Sequence, residues 1–344
     1  MPNYYKFKQV IPICFASDDN YIPLLSVAIV SLLENANPKN FYKIYILTTK
    51  LKQENIDKIQ KLQTPNSKIE FISLAKEMDK IQSMFSLRDY YSKETYYRIF
   101  IPNVFPEYSK IVYLDCDITV LGDISKFYNT EIHGYYVGAV EEEVMQTYEV
   151  FGNYVEKVCG INRNKYFNAG VLLINCNRWR LKMIAERFVD LLNKVNFRVV
   201  QDEDYLNVLC KNNVKWVDLG WNKTSYENKK FDPMDLNLIH WKMNWRPWKY
   251  KDVLYEEHFW KYAKKSGFYD DLVKMRDSRT DEDKAKDVKM FENLSKMADD
   301  DAASPSRYAE TIGKTNTTRK IKDKILMFIK FRKLINLRVF RRKL

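Results

Sequence analysis

Short apolar runs that alternate with stretches of helical period restrict this chain more than any other feature of its sequence. Residues 10–15, 42–47, 69–72, 111–114, 136–140, 170–174 and 238–241 read as strands. Between them, 21–34, 52–62, a short helix over 95–100 that ends at Pro102, 178–192 and 203–210 read as helices. Such alternation predicts an α/β fold with a largely parallel sheet. The run at 111–114 is continuously apolar, as expected of a central strand covered on both faces.

Glycine is scarce, at nine residues, and the closest pair, Gly134 and Gly138, is four apart. Neither a G-x-G-x-x-G turn nor a Walker-type phosphate loop can be written, so a bound nucleotide needs another device. The five cysteines (Cys14, Cys116, Cys159, Cys176, Cys210) form no C-x-x-C pair, which argues against a zinc ribbon or a dithiol centre. Buried free thiols in a reducing compartment are the simpler expectation. The first residues show no apolar signal region, and no run approaches the ~20 apolar residues of a membrane span. A cytoplasmic protein is expected.

The net charge of +12 belongs to one end of the chain. From Arg319 to Leu344 there are eleven Lys or Arg against one acid, Asp323, so this segment carries +10. Large hydrophobes, among them Ile325, Phe328, Phe331, Leu334 and Phe340, interleave with the cations. That mixture suits an interfacial helix on anionic lipid, so residues 311–344 are expected to associate with a membrane surface; nucleic acid is the rival ligand and is not expected. Residues 266–310, acidic and polar, read as a linker with room for some helix.

Five segments carry candidate chemistry. Asp115 and Asp117 follow the run at 111–114 and, two apart on an extended chain, can point the same way at a strand's carboxyl end, where ligands collect in open α/β sheets. Two carboxylates there suit a hard divalent ion shared with phosphate oxygens, or simply a solvated acidic turn. Asp18, Asn20 and Tyr21 follow the first strand; they can meet a nucleoside or cap a helix. Asn168-Ala169-Gly170 opens a buried strand and permits close backbone approach. Asp202, Glu203 and Asp204 open a helix, where acids also favour the dipole. His240 ends a late strand, with Lys242 and Arg246 able to face phosphate.

Taken in order, Phe-Ala-x-Asp-Asp-Asn-Tyr, Tyr-Leu-Asp-x-Asp, Phe-Asn-Ala-Gly-Val-Leu-Leu-Ile-Asn and a final His…Pro-Trp resemble the retaining glycosyltransferases of family 8 over residues 8–262. The resemblance implies a GT-A fold over 1–265, a Rossmann-like nucleotide-binding half joined to an acceptor-binding half. It implies that Ala16, Asp18, Asn20 and Tyr21 hold uridine, with Cys116 between two metal-binding acids. By the same resemblance, Asp115, Asp117 and His240 ligate Mn²⁺ or Mg²⁺, and Arg98 contacts the donor. Asn168, Asp202 and Glu203 then line the transferred sugar, and Glu142 matches a sugar-binding Asp more weakly. The donor would be UDP-galactose or UDP-glucose, and the acceptor a glycan such as lipopolysaccharide core or another glycolipid at the inner face of the cell membrane.

Two departures from the family pattern stand out. Met243 occupies the Gly of a terminal Gly-x-x-Lys-Pro-Trp motif, and Arg246 its Lys. Gln201-Asp202-Glu203-Asp204 replaces the usual Gln-Asp-Gln-Asp, so Glu203 is either a nucleophile or a hydrogen-bonding partner of the sugar. A metal-dependent nucleotidyltransferase and a non-catalytic sugar-nucleotide-binding protein are the rival readings.

Overall fold

The structure is a computed structural model that describes residues 6–75, 96–243 and 245–304. Its main sheet has seven strands: β1 (Val10–Ala16), β2 (Phe41–Thr48), β3 (Ser67–Ser73), β4 (Lys110–Leu114), β6 (Val137–Glu141), β7 (Phe167–Asn175) and β8 (Val214–Trp216), in the spatial order β3-β2-β1-β4-β7-β6-β8. Strands β1 to β4 run parallel, β7 runs antiparallel to both β4 and β6, and β8 is parallel to β6. A smaller sheet, ordered β5-β10-β9, joins β5 (Ile118–Val120), β9 (Lys223–Thr224) and β10 (Leu238–His240).

Alternation along the central strands splits the core into two layers. Ile11, Ile13, Phe15, Val112 and Leu114 pack with helix α1 (Ile22–Glu34) and α2 (Gln53–Gln60) on one face. Cys14, Ile111 and Tyr113 face the other layer. That layer holds α3 (Tyr97–Val104), α6 (Glu149–Tyr154), α7 (Cys176–Leu181), α8 (Ile184–Leu192) and α9 (Asp202–Cys210). All five cysteines are buried and none forms a disulfide, as their apolar settings suggested.

Several elements differ from the sequence expectation. The predicted helix over 178–192 is two helices, α7 and α8, separated by Met183 in the left-handed region (φ 54°). The break lets Ile184, Ala185 and Phe188 face the core while Leu181 stays 71% exposed. Helix α3 runs through Pro102 to Val104, because the proline withholds only its own N–H and Phe105 N closes the last turn onto Ile101 O. Across 266–304, read as part of a linker with room for some helix, stand helices α11 (Tyr269–Asp277) and α12 (Asp281–Ala303), and the second is packed on the core. A Thr280–Asp283 capping box starts α12. Phe291 then packs edge-on against Tyr148 and Phe151, at 5.5 and 5.8 Å between ring centroids. Apolar residues at helical spacing, Phe291, Leu294, Ala298 and Ala302, were enough to dock a helix that is otherwise highly charged. The basic segment 311–344 lies outside the described residues.

Candidate active site

The site gathers at the carboxyl ends of β1 and β4. Asp115 and Asp117 flank the step from β4 into β5, and β10 pairs antiparallel with β5 so that His240 lies opposite Ile118. That register delivers a residue from the far end of the domain to the acid pair. His240 Nε2 is 3.3 Å from Asp117 Oδ1 and 3.9 Å from Asp115 Oδ2. One ligand atom from each of the three lies within 4.8 Å of the others. Burial opposes ionisation of Asp117, but His240 and Arg246 outweigh it and hold the carboxyl below its ordinary range.

Two carboxylate oxygens and one imidazole nitrogen form a donor set that divalent cations accept. A steric observation supports that fit. A Cβ at position 170 would overlap both His240 Cε1 and Asp115 Oδ2, so glycine alone leaves the space between them clear. Gly170 also accepts the Asp115 N–H through its carbonyl at 2.8 Å, which fixes the acid's backbone.

Arg98 is the counter-charge on the opposite flank. Its Nη2 is 3.0 Å from Asp115 Oδ1, its Nε 3.1 Å from Asp202 Oδ2, and its Nη1 donates to Ala169 O at 2.7 Å. The guanidinium stacks over Tyr113, whose hydroxyl donates to Asp115 Oδ1 at 2.6 Å. Burial disfavours the charge on Arg98, yet Asp115 and Asp202 outweigh it and keep the guanidinium firmly protonated. For Asp202 the balance goes the other way: burial pushes its carboxyl up to about 7 despite the arginine.

A second group of acids converges on Asn168. Its amide NH₂ donates to Glu142 Oε2 at 2.7 Å and to Glu203 Oε2 at 2.9 Å, and Ala169 N also donates to Glu203 Oε2. Burial, reinforced by the neighbouring Glu142 charge, pushes the Glu203 carboxyl well above the usual range. Burial acts on Glu142 too, but the Lys242 ammonium hydrogen-bonded to it brings its carboxyl below that range. A bulge in β6 between Ala139 and Glu141 precedes Glu142, whose Oε1 accepts the Val144 N–H as a helix cap.

Asp18 Oδ1 accepts the backbone N–H of Asn20 and Tyr21 at 2.9 and 3.0 Å, a local turn ahead of α1; the N-cap of that helix is Tyr21, which makes no side-chain capping bond. Tyr21 is 43% exposed, and partial burial followed by the Asp117 charge raises its hydroxyl. Cys116 is buried, its thiol donating to Ala16 O at 3.1 Å, which ties the β4 tip to β1. Arg246 reaches Asp117 Oδ2 at 3.7 Å, whereas Lys242 is occupied by Glu142.

Three participants escaped the sequence reading. Tyr113 was read only as part of a strand. Asn222 Oδ1 meets His240 Nδ1 at 2.9 Å and its Nδ2 meets Asn168 Oδ1 at 2.8 Å. Lys223, buried, pairs with Glu143 at 3.2 Å and holds β9 against the segment that carries Glu142 and Glu143. No local pattern around Asn222 or Lys223 marks them, because their partners are distant in sequence. Among the described residues, no helix is long and apolar enough to cross a membrane.

Comparison with known proteins agrees with this architecture. A Haemophilus influenzae protein named as a glycosyltransferase is 33% identical over 234 residues, 67% of this chain and 66%, just under two thirds, of that protein. The lipopolysaccharide 1,2-glucosyltransferase of Escherichia coli K12 is 25% identical, covering 74% of this chain and 80% of its own. Among solved structures, an active-site mutant of LgtC superposes with a TM-score of 0.58 at 26% identity, covering 74% of this chain and 96% of that one. The fold is that of GT-A glycosyltransferases. With the family's sequence profile matching residues 12–252, this chain belongs to glycosyl transferase family 8.

Proposed function

We propose that the protein transfers a hexose, galactose or glucose, from a UDP-sugar to a glycan acceptor with retention of configuration. One observation carries the reading: the Asp115–Asp117–His240 set and the Asn168–Glu142–Glu203 group share one polar centre at the tips of β1 and β4. In this reading Ala16, Asp18, Asn20 and Tyr21 receive the uridine, with Tyr21 as its stacking face. Asp115, Asp117 and His240 hold Mn²⁺ or Mg²⁺, which when bound supplies Lewis acidity to the diphosphate.

Arg246 adds positive charge beside that leaving group, and Lys242 joins it on exchanging Glu142 for phosphate. Arg98 orients Asp115 and Asp202 across the donor. Asn168, Asp202, Glu203 and Glu142 hydrogen-bond the hexose. Burial and the Glu142 charge disfavour the anionic form of Glu203 that a nucleophile needs, which favours acceptor attack on the leaving-group face, with the departing phosphate taking the acceptor's proton.

The acceptor proposed is lipopolysaccharide core or another cell-surface glycolipid, met at the inner face of the cell membrane through the basic segment 311–344. Similarity to lipopolysaccharide glucosyltransferases supports that choice. The test is product analysis with UDP-galactose and UDP-glucose, Mn²⁺ and membrane extracts. Release of UDP with a glycosylated lipid is expected. Pyrophosphate release would indicate a nucleotidyltransferase, and no release from either donor would mark a non-catalytic binder. A chain cut after Ser306 should leave membranes while still hydrolysing its sugar nucleotide; continued sedimentation with membranes would refute the anchor.

A further inference from the structure

The orientation of every amide between Gly170 and His240 follows from a single backbone N–H. Gly170 N can only donate, and it meets one side-chain atom of Asn168 at 2.9 Å, so that atom is the carbonyl oxygen Oδ1. The same assignment sends the Asn168 NH₂ toward Glu142 and Glu203, both of which accept it. Asn222 approaches that Oδ1 at 2.8 Å and must present its own NH₂ there. Its oxygen therefore faces His240 Nδ1 at 2.9 Å, and Nδ1 must carry a hydrogen. Nε2 is then the ring nitrogen left to face Asp117 and Asp115.

We propose that Asn222 is a positioning residue that locks His240 in the Nδ1–H tautomer and links the imidazole, through Asn168, to the two glutamates of the sugar pocket. The ring is thereby ready to ligate a cation through Nε2 without reorganising. Burial strengthens the device: Asn222 is 2% exposed, Asn168 5% and His240 3%, so water does not compete for these bonds. The link also makes the two halves of the site interdependent. A shift of Glu203 or Glu142 on sugar binding pulls on Asn168, then Asn222, then the imidazole. The metal part of this proposal rests on the metal reading above; the tautomer part does not.

The sequence holds three histidines, His133, His240 and His258, so ring-nitrogen NMR on ¹⁵N-histidine-labelled full-length protein resolves each one. Without metal, Nδ1 of His240 should carry a hydrogen bonded to Asn222 Oδ1, read from its ring-nitrogen shifts. An Nε2–H form at His240 would overturn the proposal. Mn²⁺ titration read by electron paramagnetic resonance gives the second readout.

Asn222→Asp retains an acceptor for Nδ1–H but sets a carboxylate oxygen against Asn168 Oδ1, so it should keep the hydrogen on Nδ1 while losing the link to Asn168. Asn222→Leu should lose the tautomer preference and weaken Mn²⁺ binding about 10–100-fold, as removal of such an outer partner typically does. Should Asn222→Leu fail to fold, the wild-type tautomer and Asn222→Asp still decide the matter. Equal Mn²⁺ affinity in a folded Asn222→Leu variant refutes the positioning role while leaving the proposed activity standing. Absence of Mn²⁺ binding by the wild type refutes the metal reading and leaves the tautomer result to be judged alone.

Discussion

Arg98 Nη2 stands 3.0 Å from Asp115 Oδ1, and the same guanidinium, through Nε, is 3.1 Å from Asp202 Oδ2. One buried cation therefore joins the strand-tip acid to the acid that opens α9. Its planar fork meets both carboxylates and the Ala169 carbonyl at once, which a lysine cannot do. Arg98→Ala leaves two acids facing each other without their partner and should cost about 3–5 kcal/mol by urea unfolding. Arg98→Lys should recover only part of that. Stability equal to wild type in Arg98→Ala would show that water replaces the guanidinium freely.

Asp202 provides a pH test. Its carboxyl is pushed up to about 7 by burial, above the roughly 3.9 of an unfolded chain. A folded-state value above the unfolded one means that the group favours folding while both states are protonated. That contribution fades as pH rises from about 4 toward 7, with a limiting slope of about 1.4 kcal/mol per pH unit. In Asp202→Asn this part of the stability–pH curve should flatten. Denaturant midpoints measured across the window check it; an unchanged slope would mean that Asp202 is ionised throughout.

Which parts of this molecule could be read in its sequence depends on how local their causes are. The β1 and β4 strands and the acids at their ends follow from period-two alternation, which is written within a few residues. The register that places His240 beside Asp117 is not local, and the motif order implied by the family resemblance supplied it. Asn222 had no such support, since its role is defined by His240 and Asn168 alone. The docking of α12 was not legible for a different reason. Its charge density hid a narrow apolar stripe, and only the presence of Tyr148 and Phe151 opposite Phe291 makes that stripe a docking face.

Met243 has φ 54°, in the left-handed region, at the position where the family resemblance expects glycine. A side chain there costs on the order of 1 kcal/mol. Met243→Gly should raise the thermal midpoint slightly, its gain reduced by the extra freedom of glycine in the unfolded chain. Met243→Val should lower it, because a β-branched residue tolerates this backbone least. Equal midpoints for the glycine and valine variants would contradict the assigned backbone.

Glu203 accepts from Asn168 and Ala169 through the same oxygen, and its proton is favoured by burial and by the charge of Glu142. Glutamine keeps an acceptor oxygen for both donors without the charge that burial opposes. Glu203→Gln should fold normally and keep most of its turnover of UDP-sugar. A kcat loss greater than about 100-fold, with Mn²⁺ binding intact, would instead require a carboxylate acting as nucleophile.

Helix α12 closes the described chain by touching three separate segments. Asp287 accepts from Lys249, Tyr250 and Arg279, Asp301 pairs with Arg198, and Phe291 sits against Tyr148 and Phe151. Lys249 and Tyr250 follow Arg246, and Arg198 precedes the turn into Asp202, so the helix braces two approaches to the site. Phe291→Ala removes a half-buried ring and should cost about 2 kcal/mol, less than the 3–5 of a fully buried one. A chain ending at Ser304 should melt like the full protein, whereas one ending at Ser278 should melt much lower and turn over donor poorly. If the Ser278 form were as stable as the Ser304 form, α12 would be a passenger, and the linker reading of this segment would stand after all.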